Sequence, residues 1–395
     1  MKNSIVKLFG ISVLLTTLIT GCSSSDSGGD GGGGTDNPFV LDANNFKGTI
    51  TEGEVALNAA TVYKLTGKLQ VNSGATLTIP AGTVIEGMGA SSYIAVAQGG
   101  KINVNGSAAD PVVMTSGLST KNSGDWGGLI ICGKAPINRA SGGSGTASSE
   151  VGGLTYGGTV ASDNSGSIRY LRVEYAGSEF NGKKSDGVSL FGVGSGTTFE
   201  YVEAFRGADD GFGFFGGTVN TSYLVALGNQ DDQFDYAEGF AGTHTNWYAK
   251  IAYGKGNRGI EGDNYELGFT NTPISNPTIT NITLVGPGSG ADPLIYSDNQ
   301  AFKLRTGTKG QFSNVVLSGW KQGFNVEDDA TISFVGTLLK ATSVNFIDVA
   351  TQSKGTTTSG TDVNVSAVFT ESALATGAGN GANAPAWSTG WTAGF

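Results

Sequence analysis

The sequence has few of the residues on which compact catalytic and disulfide-linked sites depend. It contains two cysteines and one histidine in 395 residues. Cys132 lies in the apolar stretch Leu129–Cys132, more than a hundred residues before His244. These strand-type neighbours predict a small core residue at Cys132 rather than a catalytic thiol. His244, between two threonines, is predicted to lie in a loop.

Positive charge is also scarce. The chain has 23 basic and 33 acidic residues, a formal net charge of −10. An acidic body argues against binding to nucleic acid or to anionic lipid head groups, because both need basic patches. Proline is rare (9) while glycine is abundant (65) without a collagen period. No long helical pattern is present, and this composition favours an all-β fold that turns a corner every few residues.

The amino-terminal stretch is predicted to be a targeting segment. Lys2 and Lys7 flank the start of an apolar run, Ile11–Ile19, which is too short to span a bilayer and fits a signal-peptide core. The run ends in Leu18–Cys22, which resembles the lipobox of bacterial lipoproteins, whose cysteine is lipidated. We therefore expect residues 1–21 to be removed and Cys22 to be lipidated, so that Cys132 has no disulfide partner.

A Gly/Ser-rich segment follows Cys22 and extends to residue 37. Such a coil buries nothing and spans roughly 20 Å as a flexible chain. Removal of residues 1–21 takes away two lysines, so the net charge changes from −10 to −12 (21 − 33). We expect a tether over residues 22–37 and a folded body over residues 38–395.

A short phrase occurs six times in the second half of the chain. In each copy polar or glycine positions alternate with apolar ones, and three of the five steps are 22 to 24 residues long. A fixed period with strand alternation predicts a solenoid, here a single right-handed parallel β-helix whose turns are about 4.8 Å apart. The copies begin at Asp186, Asp210, Asp232, Arg258, Gln300 and Gln322.

Alignment of the copies places their side chains in three columns. The inward column is Val188, Phe212, Phe234, Ile260, Phe302 and Phe324. One outward column consists of the six starting residues above, with Asp209 and Asp231 beside it. The other is Ser189, Gly213, Asp235, Glu261, Lys303 and Asn325, with Glu238 and Asp263 close by. The sequence therefore predicts stacked carboxylates about 5 Å apart.

Stacked like charges are unfavourable, and three arrangements would relieve them. A Ca²⁺ ion could be held by several oxygens, with Asp235 and Glu261 as its ligands. One acid could keep its proton and serve as a general acid. Alternatively, the ladder is exposed and neutralised by its own cations, with Arg258 on Asp232 and Lys303 on Glu261. The residues alone leave all three open.

Carbohydrate hydrolysis is one chemistry that clustered aspartates support, because it needs at least two carboxylates. The pair to consider is Asp209/Asp210 with Asp231/Asp232. The Gly-His-Gly and Arg-x-Lys elements of pectin hydrolases are absent. A lyase would combine calcium with a basic residue, for which Arg258 beside Asp232 is the candidate.

Four further segments carry structural expectations. A tyrosine column (Tyr170, Tyr201, Tyr223 and Tyr248) is predicted to form a core ladder, with a sugar-stacking platform as the alternative. Within residues 116–163, the Ser/Gly-rich run at 141–149 is predicted to be a flexible excursion. Two insertions, 263–277 and 286–297, are where binding is expected. The chain from about Thr356 is predicted to cap the last turn with Trp387, Trp391 and Phe395.

Four stretches together resemble a family of secreted bacterial proteins. They are Asp125–Asn138, Ala208–Asn220, Asn257–Asn264 and Ala386–Phe395. Members of that family are mostly lipoproteins or outer-surface proteins of Gram-negative bacteria with right-handed parallel β-helices of pectin-lyase-like architecture. The resemblance covers residues 45–395 and implies the fold, export and surface anchoring. The family has no established activity, so it implies no catalytic residue. Gly213 and Gln233 depart from its Asp-Gly-Phe-Asp-like motif.

The leading hypothesis is a lipid-anchored outer-membrane protein without enzymatic activity. It would bind an extracellular ligand, a glycan or a surface protein, with or without Ca²⁺. The predicted site residues are Asp210, Asp232, Asp235, Arg258, Glu261 and Asp263. Two alternatives remain: a polysaccharide hydrolase or lyase that uses the aspartates, and a structural adhesin or spacer whose charged ladder only prevents edge pairing.

Overall fold

The computed structural model describes residues 39–394. They form a right-handed parallel β-helix in which almost all regular structure is strand. The predicted targeting segment, Cys22, the tether to residue 37 and Phe395 lie outside the described residues. In the described range, no helix has the length and apolarity needed to cross a membrane.

Regular elements follow one another with short connections. The first half contains β1 (Phe46–Ile50), β2 (Gly53–Ala56), β3 (Val62–Val71), β4 (Ala75–Pro80), β5 (Val84–Gly87), β6 (Tyr93–Val96), β7 (Lys101–Asn105), β8 (Val112–Ser116), β9 (Leu129–Cys132), β10 (Ala147–Ser148), β11 (Thr155–Tyr156), β12 (Gly166–Glu174), β13 (Glu179–Phe180), β14 (Lys183–Lys184) and β15 (Val188–Phe191). The second half contains β16 (Thr198–Phe205), β17 (Phe212–Phe215), β18 (Asn220–Leu227), β19 (Phe234–Ala237), β20 (Ala241–Lys250), β21 (Arg258–Gly262), β22 (Asn276–Val285), β23 (Gln300–Leu304), β24 (Gly310–Glu327), α1 (Asp329–Ile332), β25 (Leu339–Thr356), β26 (Asp362–Val363) and β27 (Phe369–Glu371), with 3₁₀ turns at Ser366–Val368 and Ala386–Ser388.

The strands stack into three parallel faces. Face 1 contains β6, β9, β15, β17, β19, β21, β23 and the last parts of β24 and β25. Face 2 contains β4, β7 and the first parts of the long strands from β12 to β25. Face 3 contains β5, β8 and the later parts of those strands. Each turn therefore repeats the same order of faces.

The core runs through the inside of the helix, and the predicted inward column lies in it. Val188 pairs with Phe212, Phe212 with Phe234, and Phe302 with Phe324, in the predicted register. All six members of the column are 0% exposed. The rings of Phe302 and Phe324 stack with centroids 4.8 Å apart. Each such side chain contributes roughly 1.5–3 kcal/mol through burial, so the stack itself stabilises the helix without disulfides.

A corner column of residues with positive φ joins face 2 to face 3. Its members are Tyr170, Tyr201, Tyr223, Asn246, Asn281, Asn314 and Ser343, with φ between 50° and 62°. The three tyrosines stack with centroids 4.3 Å apart, so the predicted ladder is confirmed for them. Tyr248 is not part of it, because it pairs with Val225 on face 3. Asn246 takes the corner position, since asparagine tolerates left-handed backbone.

The end of the chain covers the last turn and then turns back. Val365 and Val368 pack into the core beside β25, so this part acts as the expected cap. Residues 372–394, which we call the strap, run down the corner column instead. Trp387 packs on Tyr223, and Trp391 packs on Tyr170 and Tyr201. The two tryptophans therefore do not cover the last turn, contrary to the prediction. They pack in T-shaped contacts on the stacked tyrosines, a favoured geometry for aromatic pairs.

Residues 133–163, which we call the roof, pack over the outer surface of face 1. Ile137, Val151 and Tyr156 form a second apolar cluster with Cys132 and Phe191. The predicted flexible excursion covers only residues 141–149, most of which are at least partly exposed, and its flexibility stays a prediction. The residues around that run pack on face 1, because outward apolar residues of this face need cover. Cys132 is 0% exposed, and burial raises the pKa of its thiol to about 12. It is a packed residue, as predicted, though it belongs to this outer cluster.

His244 lies on β20 and points into the core, so its prediction as a loop residue is wrong. Its register partners are Thr221 and Ile279, and it is 0% exposed. The ring packs on Phe240 with centroids 4.8 Å apart, and Nδ1 lies 3.1 Å from the Thr221 hydroxyl. Burial lowers the pKa of this imidazole to about 3. His244 is therefore a neutral core residue.

Candidate functional site

The outward column from Ser189 to Asn325 lies on face 1 in the predicted register. In the column of starting residues, Asp186, Asp210 and Asp232 lie just before their strands. Ser189 pairs with Gly213, Gly213 with Asp235, Asp235 with Glu261, and Glu261 with Lys303. Their side chains alternate with the buried Phe and Ile residues of the same strands, since successive strand residues face opposite sides. Strand alternation thus places a row of polar groups on the outer surface, at mid-height of the helix.

A cleft of about 420 Å³ lies over this row. Its floor is formed by outward residues of β15 to β21, with Ser189, Asp235 and Glu261 among them. Roof residues and the β13–β14 hairpin form one side, and Tyr265 and Leu267 from the first insertion form another. Loops on a rigid strand scaffold are the usual walls of a binding site.

Asp186 and Gly213 fit together at one end of the cleft. Asp186 is 6% exposed, and Ser189 donates a hydrogen bond to its Oδ2 at 2.8 Å. A Cβ at position 213 would overlap this carboxylate. Gly213 is therefore required where the Asp186 side chain leans across the neighbouring strand. This explains the departure from the motif at position 213.

Asp235, Glu261 and Asp263 form an acidic triad in the same cleft. One carboxylate oxygen from each lies within 4.8 Å of the others. Arg305 pairs with Glu261 at 3.2 Å and with Asp263 at 3.0 Å. Asp235 has no cationic partner in the described residues, and its Oδ1 is buried without a hydrogen bond. The triad is therefore only partly neutralised by the protein itself.

Arg258 neutralises the acidic groups around Asp232 and Glu261. Its guanidinium lies 3.0 Å from Asp232, 3.1 Å from Glu261 and 3.0 Å from Asp298. Lys303 lies 3.8 Å from Glu261. Both pairs match the prediction, but the ladder is not exposed: Arg258 is 9% and Asp232 2% exposed. Such pairs are costly to break, because each partner would remain as a buried charge.

The pKa values divide the acids into two groups. Burial, followed by repulsion from neighbouring acids, raises the pKa of Asp186, Asp210 and Asp235 well above the usual range. Burial would also raise the pKa of Glu261, but Arg258 and Arg305 hold it below its usual value. At neutral pH the cleft therefore contains carboxyl groups that favour a proton or a bound cation, beside one that stays ionised.

Two other acids of the cleft have intermediate values. Burial raises the pKa of Asp209 to about 6, although Lys184 at 3.8 Å opposes the shift. Burial also raises the pKa of Asp263 to about 6 against the effect of Arg305. Groups of this kind change protonation between mildly acidic and neutral pH.

The predicted site residues are only partly brought together. Asp210, Asp235, Glu261 and Asp263 line the cleft, and so does Asp209. Asp231, Asp232 and Arg258 do not line it. Carboxylate oxygens of Asp210, Asp231 and Asp232 lie within 4.8 Å of one another, and Asp210 accepts a hydrogen bond from the Asp232 amide at 2.8 Å. Asp232 therefore lies beneath the cleft, where it pairs with Arg258.

Several lining residues were not predicted. They include Arg139, Glu150, Lys183, Lys184, Phe215 and Arg305. Arg305 follows Lys303 by two residues, directly after the end of β23, so strand alternation could have identified it. The roof residues carried no signal, because their position depends on long-range contacts such as Tyr156 to Glu238 at 2.6 Å. Of the two insertions, residues 265–267 line the cleft, whereas none of 286–297 does.

Comparison with known proteins identifies the family. The model of the pectate-lyase-like β-helix domain matches residues 48–392. No curated protein and no solved structure matches this chain. The match covers nearly all of the described residues, including every strand of face 1 from β6 to β25. This chain is thus a member of the pectate-lyase-like β-helix domain family.

Proposed function

We propose that this chain is a lipid-anchored surface protein of the outer membrane that binds an extracellular glycan in the cleft on face 1. The observation that carries the proposal is the buried, unpaired carboxylate of Asp235 within a walled cleft. A buried charge without a partner is unfavourable, so a ligand or an ion that satisfies it gains free energy on binding. Phe215 and Leu267 supply apolar walls of the kind that contact sugar rings.

The proposal includes a Ca²⁺ ion at Asp235, Glu261 and Asp263. Three carboxylate oxygens within 4.8 Å of one another fit the oxygen-rich shell that calcium prefers. The ion would supply the missing counter-charge for Asp235 and would compete with Arg305 for the other two acids. Sites with few ligands bind calcium in about the millimolar range that is typical of extracellular proteins.

The calcium part is tested by thermal unfolding with and without about 1 mM CaCl₂. We expect calcium to raise the melting temperature of the wild type, because it binds only the folded state. Asp235→Asn should abolish the increase. Asp110→Asn, an exposed aspartate outside the cleft, serves as the matched control and should retain it. An unchanged wild-type melting temperature would rule out the ion.

Glycan binding is tested on an array of extracellular polysaccharides with the soluble body, residues 38–395. We expect binding by the wild type and the Asp110→Asn control, and a loss of about tenfold or more in Asp235→Asn, the size of one charge-assisted hydrogen bond. Absence of binding to every glycan would contradict the proposal and leave the spacer hypothesis.

Anchoring is tested separately from binding. Cys22→Ser in the full chain should move the protein from the membrane fraction to the soluble fraction, because a lipid on this cysteine is the proposed anchor. Mass spectrometry of the wild-type amino terminus should show an acylated Cys22. An unmodified terminus would contradict the anchor without affecting the cleft.

Hydrolysis is the second candidate function. The pKa of Asp209, raised to about 6, and its neighbour Asp210 favour it, because a carboxylic acid that keeps its proton can act as a general acid. Release of reducing ends from a polysaccharide, lost in Asp210→Asn, would support it. Release of unsaturated products would indicate a lyase instead. Binding without turnover would exclude both for that glycan.

A further inference from the structure

We infer that the cleft selects saccharides that carry a protonated amine, and that Asp186 receives this amine. The inference deepens the glycan-binding proposal and rests on it. Asp186 lies at the opposite end of the floor from Glu261 and is not a member of the calcium triad. The amine and the calcium ion therefore use different carboxylates.

The charge balance of the cleft disfavours an anionic ligand. Nine carboxylate side chains but only four cationic side chains line it. The acids are Glu150, Asp186, Asp209, Asp210, Asp235, Glu238, Glu261, Asp263 and Glu266, and the cations are Arg139, Lys183, Lys184 and Arg305. A uronic acid would add a further negative charge in a partly desolvated space, where repulsion is strong.

Each of the four lining cations is already paired with a lining acid. Arg139 lies 2.6 Å from Glu238, and Lys183 lies 3.6 Å from Glu150. Lys184 and Arg305 are likewise paired with lining acids. An anion bound at one of these cations would therefore also meet the acid that is paired with it. The cleft is therefore complementary to positive charge.

Asp186 is the acid best placed to meet that charge. It lines the cleft at 6% exposure, and no cation lies within 4.0 Å of it in the described residues. Ser189 satisfies Oδ2, while the structure gives Oδ1 no partner within residues 39–394. Gly213 leaves the space that this carboxylate occupies. Burial and the nearby Asp209 raise the pKa of Asp186, and a bound ammonium would lower it again.

A protonated amine suits this position chemically. An ammonium group carries three donors and one positive charge, so it can satisfy Asp186 Oδ1 and attract the neighbouring acids together. The ring of Phe215, stacked on Phe191 with centroids 4.5 Å apart, lines the cleft as a flat apolar wall for the sugar ring. A 2-amino sugar combines both features in one residue.

The experiment compares three oligosaccharides of equal length by isothermal titration calorimetry, in the presence of a chelator. The probes are a glucosamine oligomer, its fully N-acetylated counterpart and an oligogalacturonate. We expect the glucosamine oligomer to bind about tenfold or more tightly than the N-acetylated one, and the galacturonate not to bind. High salt should weaken only the amine-dependent part of the affinity.

Variants assign the preference to Asp186. Asp186→Asn should reduce the preference for the amine to about twofold, whereas Asp110→Asn should behave like the wild type. The salt dependence tests the inference in the wild type if Asp186→Asn does not fold. Equal affinity for the amine and its acetylated form, or binding of galacturonate, would overturn the inference and leave glycan binding intact. Binding of another neutral glycan, with no binding of the three probes, would likewise overturn the inference and leave glycan binding intact. If no glycan binds at all, both proposals fail.

Discussion

Asp235 links the stability of the molecule to pH. Its pKa is raised by burial and then by repulsion from Glu261 and Asp263. Because the folded value exceeds the unfolded value of about 3.9, its stabilising contribution is complete below that pH and is lost as the pH rises through the folded value.

Asp235→Asn should therefore stabilise the chain at high pH. In a chelator, we expect the melting temperature at about pH 8 to rise by about 2 °C or more, and the value at about pH 3 to stay unchanged. Asp110→Asn should show no such pH dependence. An equal change at both pH values would mean that the effect of the variant is not electrostatic.

Arg258 is the residue on which the upper part of the acidic column depends. It contacts Asp232, Glu261 and Asp298, and it is 9% exposed. Arg258→Gln should lower the free energy of unfolding by about 3–5 kcal/mol, because it leaves buried carboxylates unpaired.

Arg169→Gln is the matched control for Arg258→Gln. Arg169 pairs with Glu200 at 2.5 Å, but its side chain is 50% exposed. Its loss should cost less than about 1 kcal/mol. Denaturant unfolding of both variants tests the contrast, and equal losses would contradict the importance given to burial.

At the scale of single residues, the sequence predicted which charged residues pair better than it predicted how buried they are. Strand alternation and the repeated phrase placed Arg258 on Asp232 and Lys303 on Glu261, because register follows from the period alone. The same pattern could not show that Asp232 is covered. Its burial depends on the turns before each strand and on the surrounding charges, neither of which alternates with a fixed period.

Among the structural elements, the corner column shows how backbone geometry selects residues. Asn281 has φ 62°, donates to Asn246 Oδ1 at 3.0 Å and accepts from Asn314 at 2.8 Å. Asparagine is one of the few residues with a side chain that tolerates this backbone region. The column is thus a ladder of amide hydrogen bonds on a left-handed corner.

Two substitutions at position 281 separate these effects. Asn281→Gly should lose about 1–3 kcal/mol for the broken hydrogen bonds, because glycine adopts positive φ readily. Asn281→Ala should lose about 1 kcal/mol more than Asn281→Gly, because alanine is strained in the left-handed backbone region. Chemical denaturation of both variants measures the difference. Greater stability of the alanine variant would contradict this account.

The elements that sequence reasoning misplaced have identifiable causes. Tyr248 resembled the column members Tyr201 and Tyr223 because each opens a strand shortly before a phrase. The connection after β20 is longer than the corresponding ones, so the corner falls at Asn246. The packing of the roof was not predicted, and in it Asn138 donates to Asn264 at 2.6 Å across 126 positions of sequence. Such contacts leave no local pattern.

At the scale of the whole molecule, the strap changes how the stack holds together. In a solenoid each turn contacts only its neighbours, so unfolding can begin at an end. Here the strap connects Asn314 with Thr283 and then reaches Glu203, to which the Ala393 amide donates at 2.6 Å. It therefore fastens upper turns to lower ones along one edge.

Removal of the strap contacts should make unfolding of the stacked turns less cooperative. Trp391→Ala should cost about 3–5 kcal/mol, because the indole is 0% exposed against Tyr170 and Tyr201. Truncation after residue 371 should also broaden thermal unfolding and speed hydrogen exchange in β24 and β25 ahead of β12. Trp387→Phe keeps an aromatic ring at the partly buried position and should have a smaller effect. A sharp, unchanged transition in the truncated chain would show that the strap adds no coupling.

The roof has a consequence for the geometry of recognition. It covers Cys132 and Phe191 on face 1 directly below the acidic row, and its side chains form part of the cleft wall. An uncovered face would present a continuous groove along the helix axis, in which a polymer could lie at any register. Glu150 and Val151 of the roof lie in the cleft wall and interrupt that groove. The glycan-binding proposal therefore implies recognition of a short stretch of saccharide rather than of a long polymer.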